Sequence, residues 1–277
     1  VIAGVITRTD LLNFLVEHNR EVVLSEKTDI SGLKPRTRYV GHFVNSRLNE
    51  HVRALLCDIG NAADTFGVEV FVVGGFVRDL MLNRTIEDVD VVVEGDGIAF
   101  ARHFAKEHSC RVHPHQKFNT AVIVFPDNFK VDVASARLEY YAMPASLPIV
   151  EHSSIKLDLA RRDFTINTLA ISLNPESFGT LIDYFGAGRD LKDKTIRIIH
   201  NLSFVEDPTR VFRAIRFEQR FGFTIGKLTA GLIRNVIKKD FFQQLSGHRV
   251  FGELKLILEE ENPTPTIQRL HEYGLLK

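Results

Sequence analysis

The stretch Val70-Phe71-Val72-Val73 runs straight into Gly74-Gly75, and no other feature limits the fold so tightly. Four apolar residues in a row predict a short buried strand. The glycine pair permits a sharp turn and close approach of the backbone to a ligand. Val77, Leu80, Met81 and Leu82 then predict a short helix, and a second strand follows over Val89 to Val93, opened by Asp88-Val89-Asp90. Because side chains alternate along a strand, Asp88 and Asp90 share one face with Val89 buried behind them. A strand, a glycine turn, a helix and an acid-bearing strand in that order require a mixed α/β architecture.

The flanking sequence fills in the organisation. Leu48, Val52, Leu55, Leu56, Ile59 and Ala63 form a helical stripe that stops near Gly67. A further helix is predicted from about Ile98 to Glu107, with strands over Thr120 to Phe125 and Lys130 to Val133. Beyond about Asn201 strand signals stop, and amphipathic helices fit residues 208–220, 227–239 and 249–260, with another starting near Pro265. Residues 1–18 read as a strand end, a turn and a helix beginning at Thr9 or Asp10 and carrying Leu11, Leu12, Leu15 and Val16. Residues 19–46 lack a period and contain Gly32, Pro35 and Gly41 among many charges, which is linker composition. The expected organisation is a mixed α/β domain over 47–200 and an all-helical domain over 201–277, in a chain cut at both ends.

With 277 residues and 44% hydrophobic content the chain can bury a core of about two domains, and intrinsic disorder is excluded. No run approaches the ~20 apolar residues of a membrane span, and Val1 to Val5 show no leader pattern. Two cysteines, Cys57 and Cys110, are too few for a disulfide framework and fit a reducing compartment, so a cytoplasmic protein is expected. Equal totals of 35 basic and 35 acidic residues supply no global field for nucleic acid, so any RNA contact must come from a local basic face.

Three constellations carry chemistry. In the first, Gly74 and Gly75 precede a helix N-terminus whose free N–H groups suit an anion, with Arg78 on that helix. Crowding of Asp88 and Asp90 is relieved by a cation, and hard oxygen ligands suit Mg2+. Asp132, on the strand Lys130-Val131-Asp132-Val133, is a candidate third carboxylate, though an edge-strand charge fits its spacing equally well. In the second, Arg161-Arg162-Asp163-Phe164-Thr165-Ile166-Asn167, the arginines can contact phosphates while Asp163 or Asn167 accepts from a ribose hydroxyl; in isolation it would read as a salt-bridged surface helix. The third is Glu206-Asp207-Pro208-Thr209-Arg210-Val211-Phe212-Arg213 and onward to Phe217. Asp207 is a natural N-cap with Pro208 at the first helical position. Asp207, Arg210 and Arg213 follow at three-residue steps on a face separate from Val211 and Ile215. A carboxylate beside a guanidinium can imitate a base-pairing edge, accepting from an exocyclic amine and donating to a ring atom. A capped amphipathic helix with an internal ion pair explains the same residues.

In this order the three constellations, with a weaker Ser246-Gly247-His248-Arg249-Val250-Phe251-Gly252-Glu253-Leu254, resemble the class II CCA-adding family of tRNA nucleotidyltransferases, within the DNA polymerase beta-like superfamily, over about residues 47–262. The resemblance implies an α/β (α+β) nucleotidyltransferase head with a mixed sheet, followed by an all-helical neck and the start of a body. It implies metal binding by Asp88 and Asp90, and ribose and triphosphate contacts by Arg162 and Asp163 with Asn167 nearby. Base reading falls to Asp207 and Arg210, with Glu206 orienting the arginine. The expected partners are the tRNA 3′ end, ATP and, with its use left open, CTP; the expected cofactor is Mg2+ at a two-metal site. Poly(A) polymerases share these motifs but carry an arginine-rich signature that residues 110–125 do not show, which favours tRNA 3′-end addition. Addition of the terminal A alone stays open beside full CCA addition. The Gly4 to Leu12 stretch resembles the end of a CBS module, so a nucleotide-binding regulatory protein with an inactive head is a further alternative. Asn119 stands where the family commonly has Gly, and Asn tolerates the left-handed backbone such a turn needs.

Overall fold

The computed structural model describes residues 30, 32–86, 88–140, 149–239, 242 and 245–276. The helix expected near residue 10 and the CBS-like stretch at 1–18 lie outside the described residues. The chain divides into two compact units, one formed by residues 34–139 with 150–195 and the other containing 196–277.

The first unit is built on an eight-stranded mixed sheet. Its strands are β1 (Arg36–Tyr39), β2 (Glu69–Val73), β3 (Val89–Glu94), β4 (Arg111–His115), β5 (Thr120–Val124), β6 (Lys130–Ser135), β7 (Leu169–Ser172) and β8 (Thr180–Asp183), in the spatial order β1-β8-β7-β2-β3-β6-β5-β4. β3 and β6 are parallel neighbours; β1 with β8, β8 with β7, β7 with β2, β2 with β3, β4 with β5 and β5 with β6 run antiparallel. Helices α1 (Gly41–Arg47), α2 (Glu50–Phe66), α3 (Gly75–Leu82), α4 (Gly97–Glu107), α5 (Ile155–Ala160) and α6 (Ala187–Lys192) complete it.

The ends of these elements follow local chemistry. In α2 the Asn49 side chain accepts from the Val52 N–H at 2.8 Å, and Gly67 closes the helix at φ 79°. In α4 the Asp96 carboxylate accepts from the N–H groups of Ile98 and Ala99. Asn119 turns β4 into β5 at φ 52°, the left-handed conformation expected of it. α2 and α4 pack on the face that buries Val131, Val133, Ala121 and Ile123. On the opposite face α5 buries Ile155 and Leu159 against Phe71, Val73, Val92, Ala136 and Ala170.

One expectation is corrected. Residues 36–46, assigned above to a linker, form the edge strand β1 and nearly all of helix α1. α1 also braces the helix after the glycine turn, because Arg47 donates from Nη1 to the terminal carbonyls of α3, Leu80 at 2.7 Å and Met81 at 3.0 Å.

The second unit contains α7 (Ser203–Glu206), α8 (Arg210–Phe221), α9 (Lys227–Lys238), α10 (Gly247–Leu258) and α11 (Thr264–Glu272), and a short strand, Thr224–Ile225, between α8 and α9 corrects the expectation that it is all-helical. Phe204, Val211, Ile215, Ile233, Val236, Ile257 and Leu270 are buried there. The other face of α8 is held by charge. Glu253 lies 3.7 Å from Arg213 and 3.9 Å from Arg216, Glu260 lies 3.3 Å from Arg216 and 3.7 Å from Arg220, and Arg269 reaches Glu218 at 2.8 Å.

Candidate active site

β2 delivers its chain into Gly74 at φ 65° and ψ −121°, and α3 starts at Gly75. The Gly74 N–H donates to the Leu169 carbonyl on β7 at 3.0 Å, which fixes the turn to the sheet. One strand further along, Asp90 is half-buried while Val89 packs inward, and Asp88 stands exposed just ahead of β3. The parallel register sets Asp90 directly opposite Asp132 on β6. Adjacent strands lie ~4.8 Å apart, so the two carboxylates leave neighbouring backbones on the same face. The carboxylate suggested by spacing alone is therefore placed beside the acidic pair.

This crowding shows in the acidities. Burial pushes the Asp90 carboxyl above the ordinary carboxylate range, Arg162 pulls it back, and Asp132 and Asp88 raise it further. Burial also raises Asp132, with Asp88 adding to it and Lys130 and His115 opposing. Asp90 and Asp132, both raised in this way, are carboxylates whose crowding a divalent cation would relieve. Among the described residues no three His, Cys, Asp or Glu side chains close around one metal position. Asp90 and Asp132 on neighbouring strands, with Asp88 just ahead of β3, are hard oxygen donors of the kind that suits a divalent cation.

The second constellation arrives on the same face through α5. Ile155 and Leu159 anchor that helix beside β3, and the chain leaving it carries Arg161 and Arg162. Asp158, fully buried, accepts from Arg161 at 2.7 and 3.0 Å and from Arg162 at 3.0 Å. Arg162 lies so close to Gly74 that a Cβ there would collide with its Nη1. Its Nε is buried and has no hydrogen-bond partner among the described residues. The motif is not a surface helix. Asp163 accepts from the Phe164 N–H and the Asn167 Nδ2, both at 2.8 Å, and Asn167 Oδ1 accepts from Arg78 Nη1 at 2.7 Å. Arg78 is buried and also grips Asp79 at 2.7 Å. Arg78, Asp163 and Asn167 thus form one internal network that ties the glycine turn to the segment after α5.

In the helical unit Asp207 does not cap α8 directly. Its Oδ1 accepts from the Thr209 N–H at 3.0 Å and the Thr209 hydroxyl at 2.5 Å, stabilising a turn, and the helix begins at Arg210. Arg249 of α10 approaches the same oxygen at 2.8 Å. Arg210 is buried, donates from Nη1 to the Ser203 hydroxyl at 2.7 Å, and lies 3.7 Å from Glu206. His200 stands 3.4 Å from Glu206, and burial together with Arg210 pushes its imidazole down to about 4. Arg213 joins Glu253 rather than Arg210. Asp158, Ser203 and His200 were not singled out from the sequence, and Arg249 entered only within the weaker Ser246–Leu254 motif. Asp158 had the one available signal, a carboxylate three and four residues before two arginines in a helical frame.

Residues 70–197 match the poly A polymerase head domain, and residues 222–277 match the probable RNA and SrmB-binding site of polymerase A. The chain is 56% identical over 279 residues to an A-adding tRNA nucleotidyltransferase of Geobacter sulfurreducens, covering 100% of this chain and 32% of that protein. It is 42% identical over 210 residues to an A-adding tRNA nucleotidyltransferase of Aquifex aeolicus, covering 76% of this chain and 25% of that protein. A solved CCA-adding enzyme in its apo form II superimposes with a TM-score of 0.83 at 45% identity, over 86% of this chain and 56% of that one. The chain thus spans a third or less of these two relatives and about half of the solved structure. Residues 70–197 are thus similar to the head domain, and residues 222–277 to the RNA-binding domain, of the poly A polymerases.

Proposed function

We propose that this chain is the nucleotidyl-transferring part of an enzyme that extends the tRNA 3′ end, adding the terminal A from ATP. The observation that carries the reading is the juxtaposition of Asp90 and Asp132 on adjacent parallel strands, one strand from the Gly74 turn and within the influence of Arg162. The two A-adding relatives named above support the narrower activity over full CCA addition, in which CTP would also be used.

Asp88 and Asp90 would hold the catalytic cations, with Asp132 beside the attacking hydroxyl. Two Mg2+ ions bound there would supply positive charge to the triphosphate and make the RNA hydroxyl more acidic. The Gly74-Gly75 turn lets the triphosphate approach the backbone, and Arg162 and Arg78 contribute guanidinium charge beside it. Asp163 and Asn167 hold that wall in place next to the ribose. Asp207 and Arg210 read the base, with Arg213 at the end of the same row. Glu206 and Ser203 fix the Arg210 guanidinium, so a wrong base leaves a buried donor or acceptor unmatched at a cost of about 1–3 kcal/mol. The unit of residues 34–139 with 150–195 acts as head, and the helical unit acts as neck and start of body. No helix among the described residues is long and apolar enough to cross a membrane, and both cysteines are free, which supports a cytoplasmic setting.

The test supplies radiolabelled ATP or CTP to tRNA ending in CC, to tRNA ending before it, and to oligo(A). The expected result is AMP on the CC-ended tRNA, lost in Asp90→Asn. CMP incorporation would replace A-addition with CCA-addition, and equal extension of oligo(A) would replace both with polyadenylation. Inactivity on all three primers would leave the regulatory alternative.

A further inference from the structure

We propose that the sheet edge beyond Asp132 is the track for the RNA 3′ end, on which Lys130 of β6 and Arg111, His113 and His115 of β4 bind the phosphates behind the attacking hydroxyl. The inference rests on the nucleotidyl-transfer reading above and assigns its second substrate a place.

The two sides of the carboxylates differ. Toward β2 stand the glycine turn, α5 and Arg162, the features suited to a triphosphate. Toward β6, β5 and β4 the register extends the acid-bearing face outward. Asp90 is opposite Asp132, Asp132 opposite Val122, and Val122 opposite His113. The neighbouring rows run from Lys130 through Val124 to Arg111 and from Ala134 through Thr120 to His115. Alternation therefore puts Lys130, Arg111, His113 and His115 on the face that carries Asp90 and Asp132. All four are exposed, and Val112, between Arg111 and His113, turns the other way. Two strand spacings separate β4 from Asp132, about 10 Å. The rows between hold Val122, Val124 and Thr120 and no acidic residue. In a chain of zero net charge this is a local basic face, leading to the carboxylate on the side away from the glycine turn.

The purified full chain is tested for binding to tRNA ending in CC, without nucleotide, across a range of salt, and separately for the KM of tRNA and of ATP. Arg111→Ala is expected to weaken tRNA binding roughly three- to tenfold, and Arg111→Ala with Lys130→Ala further. The log–log salt slope should flatten by ~0.7 per cation removed. The KM of ATP should stay unchanged in Arg111→Ala, and Arg111→Lys should keep most of the affinity. Wild-type affinity and slope in the double variant would overturn the track; if that variant also aggregated, the charges would serve only to block edge pairing. A wild-type chain that binds tRNA through Arg111 but transfers no nucleotide would uphold the track and overturn the reaction.

Discussion

Replacing Asp158 by Asn removes the negative charge beneath two guanidiniums. Asp158 is fully buried and receives hydrogen bonds of 2.7, 3.0 and 3.0 Å from Arg161 and Arg162. Removing one partner of a buried ion pair costs about 3–5 kcal/mol. The arginine side chains keep 17% and 19% of their surface and can take up water, so the lower end applies, about 3 kcal/mol. In a domain of this size that lowers the melting temperature by roughly 6–12 °C. Burial alone would raise the Asp158 pKa, but Arg162 and Arg161 together hold it below the ordinary value. A depressed carboxylate contributes stability that is present above its unfolded pKa, about 4, and is lost as pH falls through the folded value. The gap between wild type and Asp158→Asn should therefore be full at pH 7 and shrink only below about pH 4. Thermal or urea unfolding across that range measures it, with ATP KM determined alongside and expected to rise because Arg162 loses its anchor. A variant melting within about 1 °C of wild type at pH 7 would refute the clamp. Full destabilisation with an unchanged ATP KM would refute its link to the nucleotide.

The other outcomes follow from single contacts. Gly74→Ala places a Cβ at φ 65° and against Arg162, so it should cost at least about 1 kcal/mol in urea unfolding and raise the KM of ATP. His200 is held neutral with its pKa pushed down to about 4, so wild type should lose about 2 kcal/mol of stability in the helical unit between pH 7 and pH 5, and His200→Gln should flatten that slope in parallel unfolding curves. Arg210→Lys keeps the charge but loses the planar fork beside Ser203 and Glu206, so primer extension should show GTP and UTP entering where wild type excludes them, with metal dependence unchanged.

What the sequence disclosed was local, and what it withheld was tertiary. Val70–Val73, the glycine pair and the alternation around Val89 were legible because a run, a turn and a period of two are written in consecutive residues. The pairing of Asp90 with Asp132 was not, because parallel register between distant strands depends on the crossover that joins them. β1 hid in apparent linker because all four of its residues are exposed, leaving no apolar alternation to read. β7 is buried throughout, and a short apolar run does not announce its type. Asp207 and Pro208 signalled a helix start two residues too early, because Asp207 stabilises the preceding turn and Arg210 opens α8. The row of Asp207, Arg210 and Arg213 on one face divides in the fold, because Ser203 and Glu206 claim Arg210 while Arg249 and Glu253 on α10 claim the other two.

The adjacency of β3 and β6 makes the length of this chain a question of odd and even. Deleting one residue between the start of β6 and Asp132 would turn that carboxylate toward the helices, whereas length changes in the Pro126–Asn128 turn leave its direction alone. Insertions and deletions tolerated in this sheet should therefore gather between the strands, and those within them should come in twos.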